Sequence, residues 1–400
     1  MAFLSDNLGK IKPSPGLELQ RLVTELKAAG KDVIGLGIGE PDFDTPDHIK
    51  EAGIRAIQEG QTKYTTVDGT IECKEAVALK FKRDNDLDFS TSQISVNSGT
   101  KQTIYNALVA TLNPGDEVLI PAPYWMSYPD MVLLAGGVPA IVETTIENSF
   151  KLQPAGLDAA ITAKTKWLIM NSPSNPTGTA YTKGELAALG DVLRKHPGVH
   201  VMCDDIYEHL VYDGFEFSTL LNAAPDLMER VITINGVAKA YAMTGWRIGF
   251  AGGPEPLIKA MAKVQSQSTS NPCSISQVAA IAALTGPQEI VRERTAIFQG
   301  RRDKVLSMLG QAKGVSCLRP NGAFYVYADV GPLVGKKTPD GQIIGNDKDF
   351  VKYLLEDKGV AVIPGEVFGL SPYFRLSYAA SMETLEDACG RIQEATAALT

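Results

Sequence analysis

Between about residue 90 and residue 252, short β-branched runs alternate with stretches of helical spacing. Candidate strands run over Ile94 to Val96, Glu117 to Pro121, Val138 to Val142, Trp167 to Asn171, Val199 to Cys203 and Val231 to Asn235. The alternation predicts a mostly parallel sheet covered by helices, because parallel strands need a crossover to return to the same edge. From Gln288 to about Leu309 the chain is charged and proline-free. Ile290, Val291, Ala296, Ile297, Val305 and Leu309 give it an interrupted apolar face, which predicts a long connecting helix. Beyond it, Ala323 to Ala328 and Tyr373 to Tyr378 read as strands and Asp347 to Lys358 as a helix. The fold class is therefore α/β, with a large domain over 46–287 and a smaller α+β domain over 288–400. Residues 1–45, with Pro13 and Pro15, read as an N-terminal arm that joins the smaller domain.

In open α/β sheets, ligands gather beyond the carboxyl ends of the strands. The residues that follow these strands are rich in chemistry. Asn-Ser-Gly-Thr-Lys follows Val96, Ala-Pro-Tyr-Trp follows Pro121, and Asn-Ser-Pro-Ser-Asn-Pro-Thr-Gly begins at Asn171. Asp204, Asp205 and Tyr207 follow Cys203, while Gly236 and Lys239 follow Asn235. Five strand ends thus point to one site.

Composition narrows the ligand. The net charge of -8 and the lack of a long basic run argue against a nucleic-acid partner, so an anionic ligand must be held by local positive groups. No apolar run approaches the ~18 residues that span a bilayer, and no signal sequence is visible, so a cytoplasmic location is expected. The five cysteines (Cys73, Cys203, Cys273, Cys317, Cys389) are scattered without metal-ligand spacing and read as buried free thiols. The four histidines do not cluster with them, and no metal is expected.

Lys239 stands just past a hydrophobic strand, with Arg247 eight positions on. A lysine can form a Schiff base with an aldehyde cofactor, and an arginine on the same loop can hold a phosphate. Taken alone, Lys239 reads first as a solvated loop residue. Asp204, at a strand end, can pair with a protonated pyridine nitrogen, and Tyr207 can donate to a ring oxygen. The plainer reading makes Asp204 and Asp205 a helix N-cap pair before Ile206 to His209, and Asp205 can cap while Asp204 pairs. Asn175 lies in a turn-forming Asn-Pro-Thr-Gly and can also turn its amide toward the site. Trp125 can stack on a planar ring or belong to the core. Gly99 and Thr100 open a stretch that reads as a helix through Ile104 and Leu108, whose N-terminal amides suit a phosphate. The spacing is not that of a Walker A loop, and Gly35-Leu-Gly-Ile-Gly39 is followed by Glu40-Pro41, which breaks a dinucleotide fingerprint.

These residues stand in an order that resembles the class I aminotransferases of pyridoxal-phosphate fold type I, and more closely the bacterial aspartate aminotransferases of subgroup Ib. Its landmarks are Gly-Glu-Pro-Asp-Phe at 39–43, Lys-Tyr-Thr at 63–65, Pro-Tyr-Trp at 123–125, Asn-Ser-Pro-Ser-Asn-Pro-Thr-Gly at 171–178, Asp-Asp-Ile-Tyr-Glu-His-Leu at 204–210, Lys-Ala-Tyr-Ala-Met-Thr-Gly-Trp-Arg-Ile-Gly at 239–249 and Phe-Arg-Leu-Ser-Tyr at 374–378. The resemblance implies that the large domain binds pyridoxal 5'-phosphate, with Lys239 carrying the cofactor and shuttling a proton. It places Asp204 at the ring nitrogen, Tyr207 and Asn175 at the ring oxygen, and Trp125 over the ring face. Gly99, Thr100 and Arg247 would hold the phosphate, joined by Tyr64 from a neighbouring subunit of a homodimer with shared sites. Arg375 would grip the substrate α-carboxylate, with Gly39 nearby, and Lys101 would meet a distal carboxylate; Lys12 is a second candidate for that charge.

Two departures stand out. Ala238 and Gly236 occupy positions where many relatives carry hydroxyls, and Ser14-Pro15-Gly16 replaces a usual Ser-Ala-Thr in the arm over the substrate. The resemblance implies transfer of an amino group between aspartate or glutamate and a 2-oxo acid (2-oxoglutarate or oxaloacetate) by a ping-pong mechanism. The same fold acting on aromatic amino acids or prephenate, a lyase reaction, and a non-catalytic cofactor-binding module are the alternatives.

Overall fold

The computed structural model describes residues 3–400. The N-terminal arm is more ordered than its two prolines suggest, since Pro15–Ala28 is a helix with Ser14 at its N-cap and Pro15 in the first turn. Proline is tolerated there because its missing N–H has no helical acceptor. No residue of this helix is fully buried. It lies with Val23 against Gly35 in the two-residue strand β1 (Ile34–Gly35) and Leu19 against Gly37.

The main sheet has seven strands: β2 (Ile94–Asn97), β3 (Glu117–Ala122), β4 (Val138–Glu143), β5 (Thr165–Asn171), β6 (His200–Asp204), β7 (Val231–Gly236) and β8 (Gly249–Gly252). Their spatial order is β2-β8-β7-β6-β5-β3-β4. All pairs are parallel except the two made by β8, which runs against both β2 and β7. Strands β2 to β7 therefore all run the same way, and their carboxyl ends share one edge. Six of the seven match the runs of the sequence within two residues. The exception, β8, reads Gly-Phe-Ala-Gly and lacks a β-branched signal. Its glycines admit close neighbours, as Gly249 lies against the backbone of Gly99 and Thr100.

Alternation along β5 shows how both sheet faces are covered. Leu168 and Met170 join a core with Phe81, Leu189 and Ala280, whereas Trp167 and Ile169 join another with Ile104, Leu108 and Met261. Successive side chains of a strand point to opposite faces, so burial on both sides demands a continuous apolar run.

The long helix is Glu289–Leu309. After it come β9 (Ser316–Cys317), β10 (Tyr325–Asp329), β11 (Val360–Ala361), β12 (Ile363–Pro364) and β13 (Tyr373–Ser377). Four of these form an antiparallel sheet in the order β12-β13-β10-β9, while β11 pairs in parallel with β1. Val326, Ala328, Phe374 and Leu376 pack against Phe350 and Leu354 of the helix Asp347–Lys358 and against Leu385 and Ile392 of the helix Met382–Ala397.

Two local expectations are corrected. Residues 206–209 form turns rather than a helix, so Asp205 caps none; its N–H donates to Ile234 O at 2.9 Å and its carboxyl is buried. Cys73, Cys203 and Cys389 are buried free thiols as read from the sequence, but Cys273 is exposed and Cys317 only partly covered.

Candidate active site

The strand ends open into a cleft of about 410 Å³ between the main sheet and the small one. Of the residues singled out from the sequence, Gly39, Thr100, Lys101, Trp125, Asn175, Asp204, Tyr207, Lys239, Arg247 and Arg375 all line it. Ala238 does so too, beside Lys239.

Lys239 reaches back from the loop after β7, and its Nζ donates to Gly39 O at 2.5 Å. Dense packing around this partly covered side chain pushes its ammonium down to about 8. Glu40 opposes that shift, whereas Arg247 and Arg375 add to it. A lysine so placed keeps a useful neutral fraction near neutral pH, which nucleophilic attack on an aldehyde requires.

At one end of the cleft, the helix Thr100–Thr111 begins just after β2. Its N-cap, Gly99, has φ +92°, and a Cβ there would collide with the Arg247 guanidinium. Glycine thus lets the helix N-terminus and the arginine come together. The first-turn N–H groups of Thr100 and Lys101 have no intrahelical acceptor and face the site with a positive dipole end. Arg247, itself at φ +55°, donates from Nη1 to Thr244 O at 2.9 Å. The set suits an anion such as a phosphate.

Asp204 ends β6 and is only 4% exposed. Tyr128 donates to its Oδ2 at 2.6 Å, while Oδ1 is buried with no protein partner. Burial raises the carboxyl to about 6, against the pull of Tyr128, the Ile206 backbone and Lys239. An unpartnered carboxylate oxygen costs free energy unless a donor meets it, and Asp204 lines the cleft. Asn171 holds the neighbouring turn: its Nδ2 donates to Asp204 O and its Oδ1 accepts from the Asn175 N–H, each at 2.7 Å.

The hydroxyls of Tyr207 and Tyr325 lie 2.8 Å apart. Arg375, 2% exposed on β13, donates to Asn175 Oδ1 at 2.8 Å and Gly37 O at 2.5 Å. Its guanidinium carbon sits 4.6 Å from the Tyr325 ring centroid, and its Nε is buried without a partner. Trp125 meets Tyr128 edge to face at 5.3 Å. Lys101 is exposed at the mouth with Nζ 4.8 Å from the Trp125 ring, its ammonium lowered first by desolvation and then by Arg247. Four cationic side chains thus face one cleft in a chain of net charge -8.

Three of the named residues do not line the cleft: Gly99, which packs against Arg247, and also Lys12 and Tyr64. Lys12 is exposed, does not line the cleft, and lies near Asp130. Tyr64 is 89% exposed and does not reach the cleft of its own chain. Reading the sequence also missed Tyr128 and Tyr325 and gave no separate role to Asn171, and all three line the same cleft. It missed a second polar cluster as well, in which Asp84, Glu208 and His209 come together and Lys80 pairs with Glu208.

The family model described as aminotransferase class I and II matches residues 31–392. The chain belongs to the class I and II aminotransferases. The aspartate/prephenate aminotransferase of Cereibacter sphaeroides is 59% identical over 400 residues, covering 100% of each chain. The aspartate aminotransferase of Rhizobium meliloti is 51% identical over 391 residues, which is 98% of this chain and 95% of the relative. A crystal structure of the Rhizobium meliloti aspartate aminotransferase superposes with a TM-score of 0.97 at 50% identity, covering 100% of both chains. The Thermus thermophilus aspartate aminotransferase solved with maleate gives 0.91 at 43% identity, covering 99% of this chain and 100% of that one. In this family member, the wide spread of the cleft residues along the chain is resolved by the common edge of the strands β2 to β7.

Proposed function

We propose that this aminotransferase uses pyridoxal 5'-phosphate on Lys239 to move the amino group of aspartate or glutamate to a 2-oxo acid such as 2-oxoglutarate or oxaloacetate, in two ping-pong half-reactions. The observation that carries the reading is the buried, unpartnered Oδ1 of Asp204 in the same cleft as Lys239. A protonated pyridine nitrogen is the donor this oxygen lacks, and the Gly99–Thr100 helix end with Arg247 suits the phosphate. When bound, the cofactor supplies an aldehyde and a ring that withdraws electrons from the substrate α-carbon.

The chain's own residues do the rest. Lys239 Nζ would take the proton from the substrate α-carbon and deliver it to the cofactor carbon that had been the aldehyde, a role suited to an amine whose ammonium lies near 8. Asp204 holds the proton of the ring nitrogen, Tyr207 and Asn175 meet the ring oxygen, and Trp125 covers the ring face. Arg375 grips the α-carboxylate with Gly39 alongside. Tyr64, exposed on its own chain, would reach the phosphate of a second copy, giving a homodimer with shared sites. The division into 1–45, 46–287 and 288–400 lets the arm and the small sheet close over the substrate. Among the described residues no helix is long and apolar enough to cross a membrane, which accords with work in the cytoplasm.

Substrate choice rests on Lys101, with Lys12 next to it in rank should the arm move inward. A dicarboxylic donor needs a second cation once Arg375 is engaged, and the Thermus relative was solved with maleate, a dicarboxylate. Prephenate is a second acceptor, favoured by the Cereibacter relative, an aspartate/prephenate aminotransferase, and by Leu17, Ile38 and Met126 beside the same cations. A panel of donors and acceptors assayed with wild type and Lys101→Ala tests this. Loss of the contact should lower kcat/KM for aspartate and glutamate by about ten- to a hundredfold, with alanine and phenylalanine affected much less. An equal fall for acidic and neutral donors would reject Lys101 as the distal-carboxylate group.

A further inference from the structure

We infer that Tyr325 is a positioning residue for the chemistry at Lys239, giving its hydroxyl proton to Tyr207 so that the Tyr207 hydroxyl is free to donate to the cofactor's ring oxygen. This rests on the pyridoxal-phosphate reading above. The two Oη atoms are 2.8 Å apart and both rings are buried, so one proton lies between them. A phenol has a single proton to donate but can accept as well. Tyr207 can serve a ring oxygen only if that shared proton belongs to Tyr325.

The surroundings fix Tyr325 in that role. It opens β10, where it pairs with Ser377 of β13, and the Arg375 guanidinium lies over its ring. Its hydroxyl sits so close to Gly39 that any Cβ there would strike it. Gly39 is also the residue whose carbonyl accepts from Lys239. Tyr325 therefore joins the α-carboxylate clamp, the glycine beside the reactive amine and the ring-oxygen donor through one aromatic side chain.

Donors in series polarise one another, so removing the first weakens the second. A more weakly stabilised ring oxygen keeps more negative charge, which favours the protonated form of the adjacent nitrogen on Lys239. Glu40, Arg247, Arg375 and Asp204 also face Lys239, and they are unchanged in the variants below.

The test is the pH midpoint of the visible absorption change in the holoenzyme. Tyr207→Phe should raise the midpoint by about one to two pH units, and Tyr325→Phe by roughly 0.2–0.6. The double variant should move no further than Tyr207→Phe alone. A Tyr325→Phe midpoint that stays put or falls, or a double variant showing the full sum, would overturn the role; a lowered melting temperature with an unmoved midpoint is likewise the signature of packing alone. If Tyr325→Phe does not fold, a holoenzyme crystal structure decides, and Oη atoms more than 3.5 Å apart would overturn the inference. Absence of any visible band in wild type would instead reject the cofactor reading.

Discussion

Lys239→Ala should lower turnover by at least about 10⁴-fold, since it removes the residue proposed as both the nucleophile for the aldehyde and the base at the α-carbon. The variant should still bind pyridoxal phosphate, because the helix end at Thr100 and the Arg247 guanidinium do not depend on the lysine. Steady-state assays give the loss and equilibrium dialysis gives the binding. The effect should be far larger than that of Lys101→Ala, a residue proposed to meet only the substrate's far end. Transamination at the wild-type rate would remove Lys239 from the mechanism.

Asp204→Asn should pull activity and stability in opposite directions. The amide cannot hold the ring-nitrogen proton as a charged partner, so the rate of α-proton removal should fall by about 10²–10³-fold, with amino-acid binding changed much less. Rapid mixing with α-deuterated aspartate isolates that step. In the cofactor-free protein the sign reverses. The folded carboxyl is raised to about 6 from 3.8 chiefly by burial, so between those values the folded state holds a proton that the unfolded state has released. Stability is therefore lost as pH rises through that window, and the loss is complete above it. Asparagine does not ionise, so the apo variant should be more stable than wild type at pH 7 by roughly 2 kcal/mol. The difference should vanish near pH 4. Denaturant unfolding of both apo proteins at the two pH values measures it, and a less stable variant at pH 7 would contradict the assignment of Asp204 as a strained, buried charge.

That strain explains why parts of the site were legible in the sequence and others were not. Strands β2, β3, β5, β6 and β7 carry apolar, largely β-branched runs because they are covered on both faces, whereas the edge strand β4 keeps such a run while only partly covered; the polar residues that end them stand out against that background. Lys239, Asp204 and Asn175 were visible for this reason. By contrast, β8 has no β-branched residue, and β1, β9, β11 and β12 span two residues each, too few for a periodic signal. Tyr128 and Tyr325 lie within a helix and a strand, where an aromatic residue reads as core. Only their hydroxyl partners, brought from Asp204 and Tyr207, reveal another role. Arg375 was found through the family pattern, because its 2% exposure is paired with Asn175, two hundred positions away. Lys12 was named for its charge alone, and the fold leaves it at the surface.

The central claim is that Lys239, and no other lysine, carries the cofactor. Borohydride reduction of the freshly purified holoenzyme, followed by proteolysis and mass spectrometry, tests it most directly, since reduction makes the lysine–cofactor link permanent. The account predicts a single phosphopyridoxyl group on the peptide that contains Lys239, and its absence when excess aspartate is added before the reductant. A stable modification on another lysine, or none at all in protein that transaminates aspartate, would contradict it.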